Sequence, residues 1–176
     1  DVWSSDLDCF VDLTVTSPPY DGLRTYNGYS FPFEDIAKEL FRITKQGGVV
    51  VWIVGDATIK CSESGTSFRQ ALYFKEIGFN LHDTTMYRKI NYIPLTHNRY
   101  EQEFEYMFVF SKGKPKTFNP IIVECKTKGS KTKGRTFYQT NSQNTPTEGH
   151  KNDAVKDYKQ KGNVWERSEE HTSELQ

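Results

Sequence analysis

In Val11-Asp12-Leu13-Thr14-Val15-Thr16-Ser17-Pro18-Pro19-Tyr20, apolar Val11, Leu13 and Val15 alternate with polar Asp12, Thr14 and Thr16. A two-residue period is that of a strand with one buried face. The two prolines stop it, because proline offers no N–H to a ladder and fixes φ. Ser17, preceding a proline, is pushed towards extended backbone as well. The stretch therefore predicts a strand whose carboxyl end holds a hydroxyl, a stiff run of carbonyls and an aromatic ring. In an open α/β sheet that end is where ligands bind.

Working outward, residues 21–29 read as a turn-rich loop carrying Arg24 and Tyr26. Phe33, Ile36, Ala37, Leu40, Phe41 and Thr44 then recur at spacings of three and four, which predicts a helix over 33–46 ended by Gly47-Gly48. Val49 to Val54 is apolar on both faces and reads as a central strand. Strand, helix and strand make a βαβ unit with a right-handed crossover. A second helix is expected over 67–77, with Phe68, Ala71, Leu72 and Ile77 turned inward and Gly78 as its stop. Strands follow over 81–87 and 104–110, with no helix between them, so they should pair antiparallel at a sheet edge. The expected class is α/β, Rossmann-like, with a mixed, mostly parallel sheet and an antiparallel edge pair.

Past Gly113 the composition changes. Residues 126–161 are rich in Lys, Gly, Thr, Asn and Gln and poor in large apolar side chains. This suits a solvated linker. It also suits a nucleic-acid-facing segment, since Lys126, Lys128, Lys131, Lys133 and Arg135 cluster beside Phe137 and Tyr138.

The ends of the 176 residues read differently from the middle. Residues 167–176 show no periodicity and resemble the conceptual translation of a sequencing-adapter oligonucleotide; residues 1–7 resemble that of the opposite adapter, with Trp3 as a departure. On this reading, 8–116 is the chemical half of a domain, 117–166 part of a recognition or linker segment, and the two ends are artefacts. Lys plus Arg and Asp plus Glu each number 23. One basic and five acidic residues lie in the ends, so the remainder carries +4, compatible with a polyanionic partner. Three scattered cysteines and four scattered histidines form no metal-ligand spacing and no nucleophile–base pair, so no metal is expected. No apolar run spans a membrane, and a cytoplasmic setting is expected. Without a Gly-x-x-x-x-Gly-Lys-Ser/Thr stretch, P-loop nucleotide chemistry is excluded.

Ser17 Oγ and the Pro18 carbonyl are two acceptors held at a fixed angle, suited to an exocyclic amino group with two N–H donors. Tyr20 adds a flat face for a planar ring. Residues 12–20 resemble motif IV of the amino-group DNA methyltransferases, which methylate N4 of cytosine or N6 of adenine, and the similarity extends through the helix at 33–46, residues 47–56 and residues 104–114. The resemblance implies a Rossmann-like S-adenosylmethionine-dependent fold, of prokaryotic or phage-encoded type, acting on double-stranded DNA. It implies that Ser17, Pro18, Pro19 and Tyr20 form the catalytic clamp on a flipped base. Arg24 and Tyr26 would touch DNA from the next loop, and Lys131, Lys133 and Arg135 from the basic tract. Serine in the first motif position leans towards N4-cytosine, with N6-adenine as the alternative. The family's Phe-x-Gly-x-Gly loop, which holds S-adenosylmethionine, is absent. The cofactor-binding residues are thus unknown, and the fragment is expected to be inactive alone. Readings of other kinds are an RNA or protein-amide methyltransferase and a non-catalytic nucleic-acid-binding module using the basic tract.

Overall fold

The computed structural model describes residues 8–19, 31–89, 98–129, 139–140, 146–147 and 156–166. Tyr20, Arg24, Tyr26, Lys131, Lys133 and Arg135 lie outside the described residues. In chain order the elements are β1 (Val11–Thr16), α1 (Phe33–Ile43), β2 (Thr44–Val54), β3 (Thr58–Ile59), β4 (Ser62–Glu63), α2 (Thr66–Glu76), β5 (Asn80–Arg88) and β6 (Phe104–Ser111). Five short strands follow: β7 (Ile122–Glu124), β8 (Gln139–Thr140), β9 (Pro146–Thr147), β10 (Tyr158–Gln160) and β11 (Val164–Glu166). One compact unit takes the chain up to residue 118 and resumes at 163; the other lies between 119 and 162.

The first unit holds a five-stranded sheet in the order β1-β2-β6-β5-β11. β1 runs parallel to β2 and β11 parallel to β5, while β6 is antiparallel to both of its neighbours, β2 and β5. Four strands thus share one direction and β6 alone opposes them. The antiparallel pairing of β5 with β6 agrees with expectation, but the pair is not the edge. Three residues from far along the chain, Val164–Glu166, add a strand outside β5, held further by the Asn163 amide donating to the Thr84 carbonyl at 3.0 Å.

Helix α1 places its apolar stripe as expected: Ala37 is fully buried, with Phe33, Ile36, Leu40 and Phe41 packed around the core. Its end differs. The helix stops at Ile43 and β2 begins at once with Thr44, so Gly47-Gly48 lie inside the strand. The reason is a bulge: Val11 pairs with Thr44 but Leu13 with Val49, leaving extra residues on β2. Gly47 takes a left-handed φ of 82° there, and a Cβ on Gly48 would meet the Asp12 carbonyl of β1 at 3.1 Å. The glycines serve the strand pairing rather than the helix end.

Helix α2 turns a different face inward from the one expected. Ser67, Gln70, Ala71 and Phe74 are buried, whereas Phe68 and Leu72 are half or more exposed. The i, i+3, i+4, i+7 spacing holds, but polar groups occupy two of its positions because each has a buried partner, as described below.

The core lies between this sheet and the two helices. Val50, Trp52 and Val54 of β2 join Phe108 and Phe110 of β6, Phe79, and Ala37, Ala71 and Phe74 from the helices. Phe74 stacks on Phe110 at 4.5 Å and meets Trp52 edge-on at 5.1 Å. Along β6, Tyr106 stacks on Phe108 at 5.4 Å and contacts Phe104 edge-on at 5.3 Å. The opposite face departs from expectation: Leu13 and Val15, the apolar positions of β1, are each 60% exposed. No described helix of the molecule is long and apolar enough to cross a membrane.

Candidate functional site

The last β1–β2 register pair is Thr16 with Trp52, so Ser17-Pro18-Pro19 continues from the carboxyl end of β1 beside the final turn of β2. Ser17 is exposed, Pro18 buried and Pro19 half-buried. The strand ends before the prolines, as the alternation and the proline pair predict; the exposure of Ser17 and the burial of Pro18 come from the fold.

The floor beside it is fixed by Trp52, which is 1% exposed. Its indole Nε1–H donates to Gln70 Oε1 at 2.8 Å, tying β2 to α2. Phe31 and Phe33 bring their rings to 6.4 and 5.9 Å of the indole, so the chain re-enters the core next to the strand end it left at Pro19.

Just past β2, Asp56 is buried, and its carboxylate is saturated by donors from the start of α2. It accepts the Ser67 backbone N–H at 3.0 Å, the Ser64 hydroxyl at 3.0 Å, and the Ser67 hydroxyl. The helix N-cap position is Gly65, in left-handed conformation and without a side chain to cap with. Asp56 supplies that cap from the segment just after β2, satisfying an orphan N–H and setting negative charge at the positive end of the helix.

Because β6 runs against its neighbours, its amino end reaches the same edge of the sheet. Tyr106 sits there, and burial, assisted by the negative charges of Asp56 and Glu63, raises its phenol above the ordinary tyrosine range. At the end of β5, Arg88 bridges Glu103 at 3.1 Å and Glu166 of β11 at 2.9 Å, and Lys89 pairs with Glu105 at 2.5 Å. Among the described residues, no three His, Cys, Asp or Glu side chains gather as a metal site.

Ser17, Pro18 and Pro19 are therefore together at the strand end, as sequence reading anticipates. Asp56, Ser67 and Gln70 are the residues that reading missed. The available signal was an Asp directly after an apolar strand, followed by serines at the next helix start, a pattern that reads as helix capping.

Comparison with known proteins gives one family and several relatives. A family model described as DNA methylase, of the N6/N4 methyltransferase kind, matches residues 11–176. The chain is 55% identical over 160 residues to the orphan methyltransferase M.BamHII of Bacillus amyloliquefaciens, an alignment covering 90% of this chain and 60% of that protein. It is 29% identical over 146 residues to the type II methyltransferase M.MthZI of Methanothermobacter thermautotrophicus, covering 61% of this chain and 41% of that one. The chain thus spans about 60% or less of the length of these curated relatives. Among solved structures, the cytosine-N4-specific PvuII DNA methyltransferase superposes with a TM-score of 0.54 at 22% identity, over 64% of this chain and 46% of that chain. That last likeness is one of fold: a Rossmann-like methyltransferase sheet with parallel and antiparallel strands.

Proposed function

This chain belongs to the N6/N4 DNA methylase family, and on that premise we propose that the whole protein methylates an exocyclic amino nitrogen of a base in double-stranded DNA, N4 of cytosine in first place. The observation that carries the reading is Ser17-Pro18-Pro19 at the carboxyl end of β1, in parallel register beside β2.

An aromatic amine is a poor nucleophile, because its lone pair is delocalised into the ring. Ser17 Oγ and the Pro18 carbonyl accept its two N–H bonds, which favours a pyramidal nitrogen and frees the lone pair. The prolines hold both acceptors in place, so little reorganisation is needed in the transition state. Tyr20 stacks on the base once it has left the duplex, worth about 1–3 kcal/mol. Arg24 and Tyr26 contact the DNA near the flipped base, and Lys131, Lys133 and Arg135 contact phosphates.

S-adenosylmethionine supplies the electrophilic methyl group when bound. The 176 residues contain no Phe-x-Gly-x-Gly stretch, so they do not fit that cofactor by themselves. The chain alone is accordingly inactive, and the reaction belongs to a gene product that also carries the loop. Such an enzyme works in the cytoplasm, where bacterial or phage DNA lies.

Nucleoside mass analysis of DNA exposed to the full-length gene product and S-adenosylmethionine tests this. N4-methylcytosine is expected. N6-methyladenine overturns the cytosine assignment, and methylation of RNA or protein alone overturns the DNA assignment. Ser17→Ala is expected to lower kcat by a factor on the order of 10²–10³, as loss of one fixed transition-state partner does elsewhere.

A further inference from the structure

We propose that the short hairpin β3–β4 props the DNA backbone, with Lys60 at its tip holding a phosphate close to the target base. The inference rests on the DNA-directed reading above and adds a contact to it. The hairpin follows the carboxyl end of β2, the same edge of the sheet at which Ser17-Pro18-Pro19 ends β1. A duplex that delivers a base to that edge passes over whatever projects from it.

The turn of this hairpin is one its own residues disfavour. Thr58 pairs with Glu63 and Ile59 with Ser62, which leaves Lys60 and Cys61 as the two central residues. Both take left-handed φ, of 47° and 64°. A two-residue turn of this kind is favoured by Asn-Gly or Gly-Gly, and a lysine and a cysteine are strained in it. Such strain persists only where the surroundings impose it, and it gathers at functional sites. Here the Ser64 N–H closes the ladder on the Ala57 carbonyl at 2.8 Å, and the Ser64 hydroxyl roots it on buried Asp56 at 3.0 Å. Arg69 of α2 donates to the Ser64 carbonyl at 3.3 Å. Arg99, from the approach to β6, donates to the Cys61 carbonyl and faces the Glu63 carboxylate at 3.8 Å.

Both arginines are thus engaged in holding the hairpin, and Arg99 offsets its one acidic residue, Glu63. Lys60 differs. It is exposed, and among the described residues it has no ion-pair partner. The fold therefore fixes a single uncompensated cation, in a strained conformation, on the edge where the reaction is placed. A lysine is a point charge on a flexible stem, and phosphate is its complement; every duplex offers that group whatever its sequence. Lys60 is the sixth residue after Val54, which bounds its backbone to about 22 Å from the end of β2. The phosphate it holds accordingly lies within one helical turn, about 34 Å, of the flipped base.

The test measures binding of the full-length gene product to a random-sequence DNA duplex across a salt series, with urea unfolding of the same variants. Lys60→Gln should reduce the slope of log K against log salt by roughly 0.9, one phosphate contact's worth. Lys60→Asn removes the charge but suits left-handed backbone, so it should lower the slope equally and raise the urea midpoint. Lys75→Gln, exposed at the far end of α2, should leave the slope unchanged. The set of methylated sites in genomic DNA should be the same in all three, since a phosphate contact carries no sequence. Single methylphosphonate replacements around a methylated site should find, within one helical turn, a position that weakens the unsubstituted protein and not Lys60→Gln. An unchanged slope in Lys60→Gln, an equal fall in Lys75→Gln, a lowered midpoint in Lys60→Asn, an altered site set or the lack of such a position each overturns the hairpin proposal. If methylation persists in those cases, the proposed function stands without it. Failure of the unsubstituted protein to methylate DNA strikes the proposed function itself.

Discussion

The two faces of the sheet in the first unit have equally apolar sequences and different fates. On one, Val50, Trp52 and Val54 are at most 1% exposed beneath the helices. On the other, Leu13 and Val15 are 60% exposed, their β2 neighbours Val49, Val51 and Ile53 are half-buried, and burial closes only further across the sheet, at Met107 and Ser111 on β6 and Thr85 on β5. Both helices of the described chain lie on the first face, through Ala37, Ala71 and Phe74. Alternation therefore marks which side chains are able to be buried. It does not supply the layer that buries them.

The largest expected contrast comes from cutting into the covered face. Phe74→Ala removes a ring that touches Phe33, Trp52, Phe79 and Phe110. It should cost about 3–5 kcal/mol, read as a fall in the urea midpoint at unchanged m-value. Next are the polar ties between β2 and α2. Gln70→Ala leaves the Trp52 indole N–H buried without its acceptor, and Asp56→Ala does the same to the Ser67 N–H and hydroxyl. Each should cost about 1–3 kcal/mol, with the loss of amide-exchange protection concentrated in the first turn of α2 for Asp56→Ala.

A pH series sharpens the comparison at the carboxyl edge of the covered face. The Tyr106 phenol is raised in the fold, chiefly by burial, so the folded state resists its ionisation. Its contribution is complete below the ordinary tyrosine pKa of about 10 and is lost as pH rises through the raised native value. Tyr106→Phe should flatten the alkaline limb of a stability–pH curve and leave the acid limb as it was. The smallest effect belongs to the open face. Leu13→Ser and Val15→Thr should each shift the stability of this chain by no more than about 0.5 kcal/mol. A cost near that of Phe74→Ala would show the face to be covered, and would break the comparison.

Much of this architecture was legible in the residues. The strands β1, β5 and β6 and both helices fall close to where the sequence places them, although α1 ends before its expected stop and α2 turns another face inward. What escaped was decided by distant partners. Gly47-Gly48 read as a helix stop, yet their job is set by the approach of Asp12 from β1. The inward face of α2 was misjudged because Ser67 and Gln70 look solvent-facing until Asp56 and Trp52 are seen beside them. Strand β11 has three residues and no periodicity to announce it; its place comes from β5, far away in sequence. At the candidate site, the strand-end position of Ser17-Pro18-Pro19 was legible from the prolines alone, while the Asp56 network beneath needed the tertiary fold.

The lone reversed strand also dictates an order of assembly. In the sheet, β5 has only β6 and β11 as neighbours, and β6 lies between β5 and β2. As the chain leaves the ribosome, β5 emerges before the strand that joins it to the rest of the sheet. Until residues 104–111 arrive, β1 and β2 can pair but β5 has no edge to dock on. The step that completes the core is a long loop closure rather than a local zipping, which raises contact order and slows folding. A nascent chain halted before Phe104 therefore exposes both edges of β5 and the β6-facing edge of β2 at once, and its need of a chaperone should fall sharply when β6 clears the exit tunnel.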